Sequence, residues 1–419
     1  MAQPLIPITR KQALLFAAFL VLYEFLTYIA NDMIMPGMIN VVSTFHGKES
    51  DIASSLSLYI LGGASLQLFL GPLSDAYGRR PVMLTGALVF LLFTITIACS
   101  GSMQQFLIAR FFEGMGLCFI SVIGYATLQE IFEEMDAVRL MAMMANISIL
   151  APLLGPLAGA LFVHYFNWRL MFVMIAVFSF VSTVGLWWRM PESVGQKKRD
   201  GEVIPRVPLS PKIILSNYKQ LLKNPAFVFG SIGLGLVGLP CVAWIGLAPI
   251  ILVTVGKLSL VGYGAWQIPI FGAIIAGNMT LRRLTHSLSI EKLLKIGSLI
   301  VGFGLSLMLV LHALGGESFV WLIPGLIVYF FGLGIVGSPL SRFILFSTEI
   351  AKGTASALMS MILMSVQAVG VQVANLLYAK HSNLTLSCYC LGVGLLYLLV
   401  MYAATKTKKQ HTGDAKENI

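Results

Sequence analysis

Two carboxylates, Glu24 and Asp32, stand in an otherwise apolar stretch that runs from about Lys11 to Pro36. An ionised acid in hydrocarbon is costly unless it is paired, wetted or protonated, so an acid in such a segment marks a functional site by default. The chemistry open to it is exchange: a cation, or a bulky compound displacing water, favours release of a proton, and a returning proton resets the group. Burial and a nearby cation act in opposite senses on a carboxyl group's acidity, which lets such acids titrate near cellular pH. Eight residues of helix set the two acids about 12 Å apart along the axis and about 80° apart around it. They therefore reach one cavity at different depths. Tyr28, four residues after Glu24, shares its side of the helix, and Asn31 adds a neutral hydrogen-bonding group. A second charged set lies in the apolar run Ile108-Ala109-Arg110-Phe111-Phe112-Glu113-Gly114. Arg110 and Glu113, three residues apart, share a helix face and either pair with each other or reach toward the first stretch. A structural salt bridge and a role in tuning the acids are both compatible with that spacing.

The elements that must carry these groups follow from composition. Of 419 residues, 57% are hydrophobic and only 11% charged, against roughly a quarter charged in an average soluble domain. A window of about 19 residues gives twelve spans, centred at about 23, 62, 90, 115, 151, 178, 238, 272, 302, 332, 365 and 393. Each is long enough to cross a hydrocarbon core of about 30 Å. The runs are continuously apolar and not alternating, which excludes a membrane β-barrel. The expected fold is an all-α membrane protein of twelve transmembrane helices. The longest polar interruption, Pro191 to Lys223, holds Lys197, Lys198, Arg199, Asp200 and Glu202 and then Pro205, Pro208 and Pro211. It divides the spans six and six, so the expected organisation is a bundle at 1–190, a cytoplasmic linker at 191–223, a second bundle at 224–405 and a cytoplasmic tail at 406–419.

The net charge of +10 is placed for a membrane and not for nucleic acid. With both termini in the cytoplasm, the inner loops hold most of the basic residues, among them Arg10, Lys11, Arg79, Arg80, Lys197, Lys198, Arg282, Arg283 and Lys352. The outer side keeps only Lys48, Arg169, Lys257 and Lys380, a positive-inside bias that sets that orientation. The first span carries acids and lacks a small-residue cleavage pattern, so it is expected to persist in the mature protein. Cys99, Cys118, Cys241, Cys388 and Cys390 lie in or beside apolar runs without metal-ligand spacing and are expected as free thiols. No histidine cluster suggests a metal, no catalytic constellation is present, and no GxxxxGK[ST] loop points to an ATP-driven pump.

The most specific local pattern is Gly71-Pro72-Leu73-Ser74-Asp75-Ala76-Tyr77-Gly78-Arg79-Arg80-Pro81. It resembles the cytoplasmic signature of the major facilitator superfamily, in which glycines set a tight turn while an acid and a basic pair, here Asp75, Arg79 and Arg80, lock the inner side. A fainter copy, from Gly277 to Arg282 and Arg283, lacks the acid. The fifth span carries Ala151-Pro152-Leu153-Leu154-Gly155-Pro156-Leu157-Ala158-Gly159-Ala160, similar to the GPxxGG-type signature of antiporters of that superfamily, with Ala160 in place of the last glycine. Its small residues, Gly155 and Gly159 beside Pro156, are expected to let this helix lie tightly against a partner from the other half. The segments Leu22-Tyr23-Glu24-Phe25, Asn31-Asp32-Met33, Gln267 to Asn278 and Lys352-Gly353-Thr354 extend the resemblance to the drug/proton antiporter family over nearly the whole chain.

That resemblance implies the two-bundle fold of the superfamily and a monomer in the lipid bilayer of the bacterial inner membrane. It implies export of lipophilic, cationic or neutral compounds in exchange for protons by alternating access, with the proton as coupling ion and no other cofactor. It implies that Glu24 and Asp32 alternate between proton and substrate with Arg110 as basic partner, that Tyr125, Asn146 and Phe271 join the cavity wall, and that Arg342 in the tenth span is a gating charge. Glu113 stands where that family leads one to expect an amide, which sets the charge balance around Arg110 apart. The alternatives are a dedicated exporter of one metabolite, of siderophore or sugar type, and a proton symporter. A channel would show a charge ring and a receptor a soluble sensing domain; neither is evident in the sequence.

Overall fold

The computed structural model describes residues 4–199, 201–207, 209–285 and 287–417. Among these, eleven helices are long and apolar enough to cross a membrane, from Arg10–Thr44 and Asp51–Tyr77 to Lys352–Lys380 and Asn383–Lys406. The span expected near 151 is the helix Glu134–Tyr165, with a shorter apolar part at Leu150–Tyr165. The twelve expected spans are thus all helical. Several start where a short polar side chain accepts a backbone N–H of the first turn: Thr9 from Gln12, Ser102 from Gln105, Asn224 from Phe227 and Ser259 from Gly262.

The chain divides into two compact units, Met1–Gly47 with Leu58–Ile214, and Lys48–Ser57 with Leu215–Ile419. In the first unit, glycines bring backbones into contact. A Cβ at Gly62 would lie 1.9 Å from the Phe111 carbonyl oxygen, and one at Gly114 would lie 2.0 Å from that of Tyr59, so the second and fourth spans cross with nothing between them. The second unit repeats the device: a Cβ at Gly277 would meet the Phe331 oxygen at 2.2 Å, and one at Gly334 the Ile274 oxygen at 2.4 Å.

The fifth span shows the same closeness with a different partner from the one expected. A Cβ at Gly155 would lie 2.8 Å from Cβ of Asp32, and one at Gly159 only 1.8 Å from the Met33 oxygen. The small-residue face of the antiporter-like signature is therefore spent on the first span, in its own unit. The fourth span is not one regular helix: it runs as Met103–Gly114, Gly116–Phe119, a π-helical turn Ile120–Gly124 and Tyr125–Ile131. π-Turns inside helices occur often at functional sites, and this one ends at Tyr125.

The polar stretch after the sixth span folds onto the first unit. Lys197 and Val203 form an antiparallel bridge, closed by Gly195 N–H to Ile204 O (2.8 Å) and Ile204 N–H to Gln196 O (3.0 Å). Arg199 N–H donates to Leu5 O (2.7 Å), Leu5 N–H to Ile131 O (2.8 Å), and Val207 N–H to Asp75 O (3.3 Å).

Candidate functional site

The charged residues of the first and fourth spans meet inside the first unit. Arg110 and Glu113 have side chains 0% exposed, with Nη1 of Arg110 2.6 Å from Oε2 of Glu113. Burying two charges is tolerable only when the pair is close and its remaining polar atoms are satisfied, and here they are. Thr94 of the third span donates to Oε1 of Glu113 at 3.0 Å. Nη1 of Arg110 also faces Ala30 O at 3.3 Å, its Nη2 donates to Oδ1 of Asn31 at 2.8 Å, and the guanidinium lies 4.3 Å from the Tyr59 ring centroid.

The two acids of the first span are both buried, Glu24 at 1% and Asp32 at 5% exposure, and each accepts from a neutral donor. Tyr125 donates to Oε1 of Glu24 at 2.7 Å. Asn31 Nδ2 donates to Oδ1 of Asp32 at 3.1 Å. Arg110, expected as the basic partner of both acids, makes its contact ion pair with Glu113 and reaches Asp32 through the Asn31 amide, still acting on that acid electrostatically. The reason is local: Glu113 is one helical turn from Arg110 on the same face, so its carboxylate needs no rearrangement of backbone to reach it.

Glu24, Asp32, Asn31, Tyr125, Arg110 and Glu113 are all candidates from sequence, and the structure joins them in two sets, Arg110 with Glu113, Asn31 and Asp32, and Glu24 with Tyr125. Tyr28 is half-buried. Asn146 lies outside the residues whose side chains are described. Phe271 and Arg342 belong to the second unit: Phe271 is buried edge-on to Phe330, with centroids 5.2 Å apart, and Arg342 is exposed at the end of the tenth span with its guanidinium 4.5 Å from the Phe346 ring. Tyr59 and Thr94 were not singled out from sequence, because tyrosine and threonine are ordinary residues of apolar helices. Their only sequence signal is hydrogen-bonding capacity in an apolar run.

The loop signature is mostly helix. Residues Gln67–Tyr77 are helical through Gly71 and Pro72, and the turn falls on Gly78 alone, at φ 110° and ψ 150°, a backbone region that other residues rarely enter. Arg79 then pairs with Asp75 at 2.6 Å and with Glu130 at 2.8 Å. Arg80 does not join that acid; its Nη2 donates to Trp187 O at 2.6 Å. Glu130, at the end of the fourth span, is a clamp residue that also accepts from Ser193. Glu192 caps the next helix, accepting from the backbone N–H of Arg79 (2.9 Å), Arg80 (3.2 Å), Ser193 (3.0 Å) and Val194 (3.1 Å), where an anion is favoured by the helix dipole. We expect Arg79→Ala to cost about 1.5–3 kcal/mol, the range for hydrogen bonds to charged groups, and Arg80→Ala less. Unfolding midpoints of the purified variants check the order.

Buried paired charges, helix crossings through glycine and a glycine turn leading into a basic pair define a multi-span helical membrane protein of the transporter class. The chain belongs to the major facilitator superfamily, whose family profile matches residues 20–371. It is similar to the multidrug transporter MdfA of Yersinia pestis bv. Antiqua (strain Angola), 44% identical over 400 residues that cover 94% of this chain and 95% of that one. It is similar to the multidrug transporter MdfA of Edwardsiella piscicida, 41% identical over 399 residues and 95% of each chain. In fold it is similar to the partially occluded inward open xylose transporter XylE from E. coli, with a TM-score of 0.70 and 16% identity over 94% of this chain and 97% of that one. The family resemblance and the fold class read from sequence are both borne out.

Proposed function

We propose that this chain is a proton-coupled antiporter that exports lipophilic cationic or neutral compounds across the bacterial inner membrane by alternating access. The observation that carries the reading is the state of the two acids of the first span. Each is buried and each accepts from a neutral donor, Tyr125 or Asn31, so both the charged and the protonated form have a place in the site. The similarity to proteins named multidrug transporters supports the substrate class.

In this reading Glu24 and Asp32 exchange protons for substrate, with Arg110 and Glu113 as the charged pair beside them. Tyr28, Asn31, Tyr125, Asn146 and Phe271 line the path. Asp75, Arg79, Arg80, Gly155, Pro156, Gly159 and Arg342 act in the change of conformation. The proton is the coupling ion, no other cofactor is used and no covalent chemistry is performed. The protein works as a monomer in lipid with both termini in the cytoplasm.

Reconstitution into liposomes with an imposed proton gradient, following substrate and proton movement together, tests the reading. Substrate is expected to move against its own gradient only while protons move the other way. The double variant Glu24→Gln/Asp32→Asn is expected to lose coupled transport by at least tenfold. Full coupled transport in that variant for every compound tried would overturn the assignment of the two acids, and substrate moving with protons would make the protein a symporter.

A further inference from the structure

We propose that Glu113 sets the charge preference of this site: by neutralising Arg110 it makes the pocket select positively charged lipophilic compounds over uncharged ones of the same shape. The inference rests on Glu24 and Asp32 forming the substrate site, as proposed above.

The geometry around Arg110 has two sides. On one, Glu113 contacts Nη1 at 2.6 Å and lies 3.0 Å from the Thr94 hydroxyl, which shares its one proton between Oε1 of Glu113 and Phe90 O at 2.7 Å. On the other, Nη2 meets the Asn31 carbonyl oxygen, and only the far end of that amide touches Asp32. An ion pair at contact is a dipole, whose field falls off faster than that of a single charge. Asp32 therefore sits one amide away from a cation that is paired on its far side, so its pull on Asp32 persists but is weaker than that of a lone charge. Of the four charged groups named, three are acids and one is a base; with all four ionised, the excess is negative. An incoming cation meets that excess with little repulsion from Arg110.

With glutamine at 113 the same position would offer a hydrogen bond but no charge. Arg110 would then be a full positive charge close to Asp32, in surroundings that screen far less than water. At the effective dielectric of about 20 typical of proteins, a unit charge within about 10 Å of a bound cation changes its binding by more than tenfold. A neutral compound of the same shape has no net charge for that field to act on. Glu113 is thus a specificity-determining residue that works through Arg110 and need not touch substrate.

Equilibrium binding of acridine and of N-methylacridinium to the detergent-purified full chain at neutral pH tests this, because the two probes share a ring system and differ in charge. Wild type is expected to bind the cation at least tenfold more tightly, and Glu113→Gln to reduce the ratio of the two affinities by tenfold or more. Glu113→Asp, which keeps the charge, should keep most of the preference. The double variant Arg110→Gln/Glu113→Gln removes a neutral pair as a whole, buries no lone charge and is expected to retain the preference. No preference in wild type, an unchanged ratio in Glu113→Gln, or loss of the preference in the double variant would each overturn the proposal. The measurement needs no gradient, so failure of coupled transport in liposomes would sink the antiporter reading and leave this result to be judged alone.

Discussion

Arg110→Met is expected to destabilise the purified protein by about 3–5 kcal/mol, the cost of breaking a buried ion pair from one side. The substitution fills much of the same volume, so the loss is electrostatic more than steric. It strands the Glu113 carboxylate at 0% exposure, leaving the Thr94 hydroxyl to hydrogen-bond it, and it takes the donor from Oδ1 of Asn31. A buried carboxylate without its cation loses the interaction that offset its desolvation. The companion variant Arg110→Met/Glu113→Leu removes both charges, and replacing a buried pair by apolar residues of similar volume is often neutral or better. We therefore expect the double variant to recover most of the loss. Equilibrium unfolding of the two single variants and the double variant in detergent, read as a double-mutant cycle, gives the coupling. If the two single effects simply add, the pair is not the unit described here.

Gly159→Val should be the most damaging single change in the fifth span. A Cβ at that position would lie 1.8 Å from the Met33 oxygen, far inside van der Waals contact, and the atom it meets is backbone. Either the first and fifth spans separate or the chain fails to assemble. Overpacking a core costs typically about 1–3 kcal/mol even where side chains can give way, and here no side chain is available to move. Separation would also shift Asp32, whose Cβ is 2.8 Å from the position a Cβ at Gly155 would take. The expected result is a sharp loss of monodisperse protein, and at least tenfold lower transport in whatever is recovered. Gly272→Ala is the matched control, since a Cβ there meets nothing within 4 Å. Equal behaviour of the two variants in size-exclusion chromatography would refute the crossing as a tight constraint.

Much of this arrangement is legible in the sequence, for identifiable reasons. Charges in apolar runs are rare, so Glu24, Asp32, Arg110 and Glu113 stand out, and the three-residue spacing of the last two announces a shared face. Spans read easily because continuously apolar runs of bilayer length seldom arise outside a membrane. Partners contributed by another span are harder. Nothing in the run around Thr94 says that its hydroxyl finds Glu113, and nothing in the first span says that Asn31 stands between Asp32 and Arg110. Gly155 and Gly159 advertise a close approach without naming what approaches. Glu192 looks like an ordinary solvated acid after the last span of the unit, yet four backbone amides converge on it. Its role depends on where the chain returns, which local pattern does not encode.

The Asn31 amide also imposes an address on the proton. A guanidinium only donates, so the oxygen of Asn31 must face Arg110 and its NH2 must face Asp32. Oδ1 of Asp32 is thereby taken by a donor that has no lone pair to offer in return. A proton on Oδ2 leaves that hydrogen bond undisturbed, whereas one on Oδ1 weakens it as an acceptor, so Oδ2 is the favoured seat. Of the two oxygens that a carboxylate presents, the neighbouring residue in the chain has made one a fixed post and the other the door.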